Sequence, residues 1–128
     1  MKRFVYALVP GIVAHELVHA AVGRGIGGEV SIDWSVPEVQ LSVEDFRPPD
    51  VLLANLAPSL IGLPLLGAFV LALAELSGPL SVVEVLALYW LAINLFAFAL
   101  PSPSDILESV RTVAYVRAQR REETVPNT

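Results

Sequence analysis

The chain has 128 residues, of which 55% are hydrophobic and 16% charged, and its mean hydropathy is +0.64. A soluble domain of this length normally carries about 25% charged residues, so the apolar excess indicates a membrane protein. A net charge of −5 without a basic patch excludes nucleic-acid binding. The sequence contains no cysteine, which excludes disulfides, thiol nucleophiles and thiolate metal sites.

The first apolar stretch predicts a membrane helix over residues 4–24. At a rise of about 1.5 Å per residue it would cover roughly 30 Å, the thickness of the hydrocarbon core of a bilayer. Two basic residues precede it, as in an export signal. It also contains two His and a Glu and lacks a small-residue cleavage site, so a cleaved signal peptide is not expected.

The polar segment that follows has a sequence period of two. Apolar residues alternate with polar ones in two short runs, at Val30, Ile32 and Trp34 and at Val39, Leu41 and Val43. This pattern predicts a β-hairpin over residues 29–44 with one apolar face. Glycines before it and Pro48-Pro49 after it indicate a unit inserted between two membrane helices.

Two further apolar stretches predict membrane helices over residues 51–76 and 80–100. Residues 51–74 carry no charge, which is rare for the core helix of a soluble protein. The short turn Ser77-Gly78-Pro79 makes the two helices antiparallel neighbours. With an amphipathic C-terminal helix over residues 103–121, the sequence predicts a single all-α integral membrane domain over residues 1–128, with three transmembrane helices and one small β-hairpin.

Charge at the two ends of the chain predicts its orientation in the membrane. The C-terminal helix carries four arginines, at Arg111, Arg117, Arg120 and Arg121. By the positive-inside rule this places the C-terminus and the hairpin in the cytoplasm and the Ser-Gly-Pro turn outside. Lys2 and Arg3 favour the opposite orientation but are fewer.

The first predicted helix contains an HExxH motif, His15-Glu16-Leu17-Val18-His19, which holds both histidines of the chain. Four residues apart on a helix, the two imidazoles can hold one zinc ion, and Glu16 lies beside them to polarise a water molecule. An unpaired Glu within a membrane helix costs roughly 2.5–3.5 kcal/mol on insertion scales, so such a residue indicates a functional site.

A catalytic zinc ion needs a third protein ligand besides two imidazoles. The polar side chains on other predicted helices are Asp105, Glu108, Glu84, Glu75 and Asn94. Depth favours Asp105, because it follows the third helix on the cytoplasmic side, whereas Glu75 and Glu84 fall near the opposite face. The run Ser102-Pro103-Ser104-Asp105 also matches a helix N-terminal cap, so a purely structural role for Asp105 stays open.

Three segments of the sequence resemble motifs of a known protein family. They are His15-Glu16-Leu17-Val18-His19-Ala20, Asn55-Leu56-Ala57-Pro58 and the stretch from Asn94 through Pro101 and Pro103 to Asp105. With the hairpin between the first two, they cover nearly the whole chain, which resembles the site-2 protease family of intramembrane zinc metalloproteases as a minimal three-helix core.

The resemblance implies zinc held by His15, His19 and Asp105, with Glu16 as general base and Asn94 near the substrate. The third motif of that family usually reads N-x-x-P-x-P-x-L-D-G. Here the Asn is farther from the Asp, and Ser104-Asp105-Ile106 replaces Leu-Asp-Gly. The HExxH motif therefore matches that of the family in full, and the motif around the third ligand, Asp105, matches in part.

We therefore expect an intramembrane zinc metalloprotease that hydrolyses membrane-embedded protein substrates with a zinc-activated water and Glu16 as general base. The hairpin is either a strand edge for the substrate or a lid over the site. Selection of a transmembrane substrate is expected to involve self-association or a partner membrane protein. Two alternatives stay open, a non-proteolytic membrane metal-binding protein and a proton-relay or transport subunit that uses His15, Glu16 and His19.

Overall fold

The computed structural model describes residues 9–33, 35, 38–42 and 47–123. Its elements are α1 (Pro10–Gly25), β1 (Glu29–Asp33), β2 (Glu38–Ser42), α2 (Pro48–Glu75), α3 (Val82–Ala99) and α4 (Pro103–Glu123). The predicted combination of a mostly helical chain with one small antiparallel hairpin is confirmed. Parts of the predicted first helix (4–8) and of the hairpin (34, 36–37 and 43–44) lie outside the described residues.

Helix α1 begins at Pro10, and Val9 before it offers no side chain to cap the first turn. The cap comes from another helix instead, because the backbone N–H of Gly11 donates to Asn94 Oδ1 on α3 at 2.8 Å. Gly11 lies against the backbone of Asn94 so closely that any Cβ at this position would overlap the Asn94 carbonyl. This contact fixes the crossing of α1 and α3.

Helix α1 ends in a Schellman motif. Gly27 has a φ of +88°, a conformation that favours glycine, and its N–H donates to the Arg24 carbonyl at 3.0 Å. The N–H of Gly28 donates to the Gly23 carbonyl at 2.9 Å. These bonds turn the chain directly from α1 into β1, which keeps the hairpin close to the helix that carries the HExxH motif.

The hairpin pairs β1 with β2 in an antiparallel register from Glu29↔Ser42 to Asp33↔Glu38. In β1, Val30 and Ile32 are half-buried and Glu29, Ser31 and Asp33 are exposed, as the alternating pattern predicts. Both strands pack against α1. The hairpin therefore forms a cover over one side of that helix.

Helices α2 and α3 form an antiparallel pair. Pro48 and Pro49 lie in the first turn of α2, so the proline pair that was expected to close the hairpin also starts the next helix. The start of α3 has a capping box, in which the Ser81 side chain accepts from the Glu84 N–H and the Glu84 carboxylate accepts from the Ser81 N–H. The link over residues 76–81 is short, so α3 returns along α2.

Two helical stretches are long and apolar enough to cross a membrane. They are α2 and the stretch Val82–Glu122, which contains α3 and most of α4. Only 22% and 11% of the residues in their most apolar windows are buried, so most of their apolar side chains face outward. Helix α1 is described over 16 residues. Its role as a third membrane helix stays a prediction.

Helix α4 packs against α2 and leaves several of its apolar residues exposed. Ile106 and Val110, which are four residues apart on one side of this helix, are both exposed. The second half of α1, the start of α2, the end of α3 and the start of α4 thus meet at one end of the molecule, next to the hairpin. His15, Glu16, His19 and Asp105 lie at this end.

Candidate metal centre

His15, His19 and Asp105 form a compact cluster at this end of the molecule. The His15 Nε2 atom lies 3.2 Å from Asp105 Oδ2, and the His19 Nε2 atom lies 3.2 Å from Asp105 Oδ1. The two Nε2 atoms are 3.0 Å apart. Both imidazoles are buried, with 4% and 8% of their residue surface exposed. Each residue can thus present one ligand atom to a shared metal ion.

Backbone carbonyls of two other helices orient the imidazoles. His15 Nδ1 lies 2.8 Å from the Phe98 carbonyl on α3, and His19 Nδ1 lies 2.7 Å from the Ala54 carbonyl on α2. A carbonyl oxygen can only accept a hydrogen bond, so each Nδ1 carries the proton. In the neutral rings both Nε2 atoms then present lone pairs, the arrangement that metal-binding histidines adopt.

The cluster therefore brings two nitrogen lone pairs and a carboxylate to one point. These groups repel each other unless a cation lies between them. Around a tetrahedral zinc ion with bonds of about 2.0–2.1 Å, ligand atoms are separated by about 3.4 Å. The observed separations of 3.0–3.2 Å are close to this value. The donor set thus fits zinc, and it also fits a shared proton.

Asp105 caps a helix and at the same time faces the two imidazoles, so the two roles weighed from the sequence are compatible. Its Oδ2 atom accepts from the Ser102 N–H at 2.7 Å, and its own N–H donates to Ser102 Oγ at 3.2 Å, which caps the first turn of α4. The same carboxylate faces both imidazoles. The helix cap consequently holds Asp105 in place for the cluster, and the two roles do not compete.

Glu16 lies beside the cluster rather than in it. Its Oε2 atom accepts from the backbone N–H of Val39 on β2 at 3.1 Å. Glu16, His19 and Asp105 border a shared cavity of about 610 Å³, which β2 also lines. A molecule in this cavity can therefore contact the carboxylate of Glu16 and the cluster at the same time.

Comparison of the chain with family models, with curated proteins and with solved structures gives no match. Within the described residues, His15, His19 and Asp105 are the only group of three His, Asp or Glu side chains close enough to share a metal ion.

The other carboxylates that were weighed as ligands lie outside the cluster. Glu108 borders the cavity, but its Oε1 atom accepts from Arg111 Nη1 at 3.0 Å. Glu84 belongs to the cap of α3, and Glu75 is the exposed last residue of α2, about 30 Å along that helix from Ala54.

Asn94, predicted near the substrate, is buried between helices. Its Oδ1 atom accepts from the Gly11 N–H, and its Nδ2 atom donates to the Trp90 carbonyl, both at 2.8 Å. Asn94 is not among the residues that line the cavity. The structure thus shows a role for Asn94 in joining α1 to α3, and its role toward a substrate stays a prediction.

Sequence reasoning missed the backbone groups of the site. The carbonyls of Ala54 and Phe98 and the N–H of Val39 have no signature in the sequence, because any residue type supplies them. Asn55 was noted only as part of a motif, yet it lines the cavity. A polar residue in an otherwise apolar helix was the available signal for it.

Proposed function

We propose that this protein is an intramembrane zinc metalloprotease of the site-2 protease type, which cleaves membrane-embedded protein substrates. One observation carries the proposal. His15, His19 and Asp105 converge with their lone pairs on one point, and Glu16 borders the same cavity. Two nitrogen ligands and one carboxylate are a donor set found in hydrolytic zinc enzymes, with the remaining position left for water or substrate.

Each group of the site has a distinct part in the proposed reaction. Zinc in this site would supply Lewis-acid polarisation of a peptide carbonyl and activation of water. Glu16 accepts the proton of the attacking water and returns it to the leaving amine. The carbonyls of Ala54 and Phe98 hold the imidazoles, so that the ligands need not reorganise during turnover.

The hairpin offers a backbone edge to an extended substrate. The Val39 N–H donates to Glu16, so it points away from β1 and toward the cavity. In an antiparallel strand the N–H and C=O of one residue point to the same side. Glu16 occupies the Val39 N–H, but the Val39 carbonyl and the N–H and carbonyl of Leu41, two residues further along β2, lie on the same side. An unwound substrate segment can therefore pair with these groups in the manner of an added strand, which supports a substrate role for the hairpin.

We place the protein in a lipid bilayer with three membrane helices and a cytoplasmic C-terminus. The outward-facing apolar side chains of α2 and α3 support this, since a soluble protein rarely exposes such an area. The length of the apolar stretch over residues 4–24 supports the third span. The arginines of α4 favour the cytoplasmic side.

Metal content and cleavage test the proposal together. Wild type purified in detergent without chelators is expected to hold about one zinc per chain, and Asp105→Ala much less. Glu16→Gln is expected to keep zinc and to lose cleavage of a mixture of synthetic transmembrane peptides, followed by mass spectrometry. Wild type without zinc, or Glu16→Gln with full activity, would refute a zinc protease.

One observation favours a second candidate function, the proton relay. The 3.0 Å separation of His15 Nε2 and His19 Nε2 is also that of a hydrogen bond, which a single added proton would complete. A subunit of this kind needs no metal. Absence of zinc in wild type, together with proton transfer across vesicles that a chelator leaves unchanged, would support the relay against the protease.

A further inference from the structure

A polar side chain without an assigned role borders the cavity at Asn55. It follows Ala54, whose carbonyl holds the His19 ring, and it lines the cavity together with Glu16, His19 and Asp105. Asn55 therefore lies beside the proposed reaction centre, on the helix that forms one wall of the cavity.

The Asn55 amide nitrogen is buried and has no hydrogen-bond partner within the described residues. An amide carries two donors on nitrogen, and buried polar groups in proteins are almost always paired. A half-turn of χ2 exchanges the nitrogen and the oxygen of the amide without moving the helix. Through this rotation the donor can face the cavity that the side chain borders.

The chemistry of the cavity makes a donor at this position useful. The charged groups that line it, Glu16, Asp105 and Glu108, are carboxylates and accept hydrogen bonds. A bound peptide presents carbonyl oxygens, which need donors. Gln40, the other amide in the lining, is exposed to solvent, whereas Asn55 is half-buried.

We infer that the Asn55 side-chain amide donates a hydrogen bond to a carbonyl oxygen of the peptide bound in this cavity. The inference rests on the proposed function and adds a substrate-binding residue to it. Because Asn55 is held on a helix at the wall of the cavity, only this rotation about χ2 is needed when a carbonyl replaces solvent.

The chain offers a matched control one turn further along α2. Ser59 is buried, and its Oγ atom also has no partner within the described residues, but Ser59 does not line the cavity. Ser59→Ala therefore removes an unpartnered polar atom from the same helix without touching the site. Any effect specific to Asn55 must come from the cavity.

Two zinc-binding probes separate a substrate contact from a general disturbance. A peptidyl hydroxamate carries peptide carbonyls next to its zinc-binding group, whereas acetohydroxamic acid carries the zinc-binding group alone. Asn55→Leu, or Asn55→Ala if the first variant does not fold, is expected to bind the peptidyl probe about 5- to 20-fold more weakly in the zinc-loaded full chain. Its zinc content and its affinity for acetohydroxamic acid should match those of wild type and Ser59→Ala.

Equal affinity of the Asn55 variants and wild type for the peptidyl probe would overturn the inference and leave the proposed function intact. Equal weakening of both probes would also overturn it, because Asn55 would then act on the metal centre. A wild-type chain that holds no zinc would overturn the proposed function and the inference with it.

Discussion

Asp105 joins a helix cap and a cluster of proposed metal ligands in one carboxylate, and substitutions can separate the two roles. Asn at position 105 keeps an oxygen that can accept from the Ser102 N–H but loses the negative charge beside His15 and His19. We expect Asp105→Asn to weaken zinc binding at least about 10-fold, the size of loss that even the supporting partners of metal ligands cause. Competition with a chromogenic chelator measures this.

The complementary substitution is Ser102→Ala, which removes the hydroxyl that accepts from the Asp105 N–H. Loss of such a cap costs about 1 kcal/mol of stability, so we expect a lower thermal midpoint in detergent with zinc still bound. If Ser102→Ala lost zinc as completely as Asp105→Asn, the cap would be indispensable to the cluster and the roles inseparable.

Among the individual groups of the site, the sequence predicted the side chains of the cluster but none of the backbone groups that contact them. The HExxH spacing indicated His15 and His19 because the helical repeat is fixed, and depth selected Asp105 from five polar residues. The structure brings these three together. Nothing in the sequence predicted that Glu16 would contact the Val39 N–H, because that contact depends on where the hairpin folds back.

Among the elements, the crossing of α1 and α3 depends on the absence of a side chain at Gly11. Ala at this position would overlap the Asn94 carbonyl, so Gly11→Ala should lower the free energy of unfolding by about 1–3 kcal/mol. Gly67→Ala on α2 is the control, because open space surrounds that position and alanine is the better helix former. Thermal unfolding of both variants in detergent checks this, and equal midpoints would contradict the tight crossing.

The hairpin positions the proposed general base through one backbone donor. Val39→Pro removes the N–H that Glu16 accepts from, and this N–H points away from β1. We expect turnover to fall about 10- to 100-fold with zinc content unchanged, since small displacements of a catalytic group have effects of this size. Val39→Ala keeps the N–H and should stay within a few-fold of wild type. Full activity of Val39→Pro would show that the contact does not position Glu16.

The elements themselves followed from simple patterns, and their ends did not. Period-two alternation predicted the hairpin, and long apolar stretches predicted α2 and α3. The start of α2 at Pro48 was harder to place, because a Pro-Pro pair is compatible both with a loop and with a first helical turn. The α1 cap was unpredictable, since its acceptor lies on a helix 83 residues away in sequence.

For the molecule as a whole, the proposed topology places the α2–α3 link and α4 on opposite sides of the membrane. The chain contains no cysteine, so single cysteines report position without background. We expect a membrane-impermeant maleimide to label Ser77→Cys in intact cells and Gln119→Cys only after permeabilisation. Labelling of both positions in intact cells would contradict three membrane helices with a cytoplasmic C-terminus.

The two imidazoles take their orientation from main-chain oxygens that belong to neighbouring helices, at 2.7 and 2.8 Å. Replacing the side chains of Ala54 or Phe98 leaves these oxygens in the chain, but a slide of α2 or α3 past α1 carries them away. The geometry of the cluster therefore depends on how α2 and α3 are positioned against α1. We expect zinc affinity to differ between vesicles of short-chain and long-chain lipids, because mismatch in thickness tilts helices against each other. Metal occupancy would then act as a gauge of bilayer thickness.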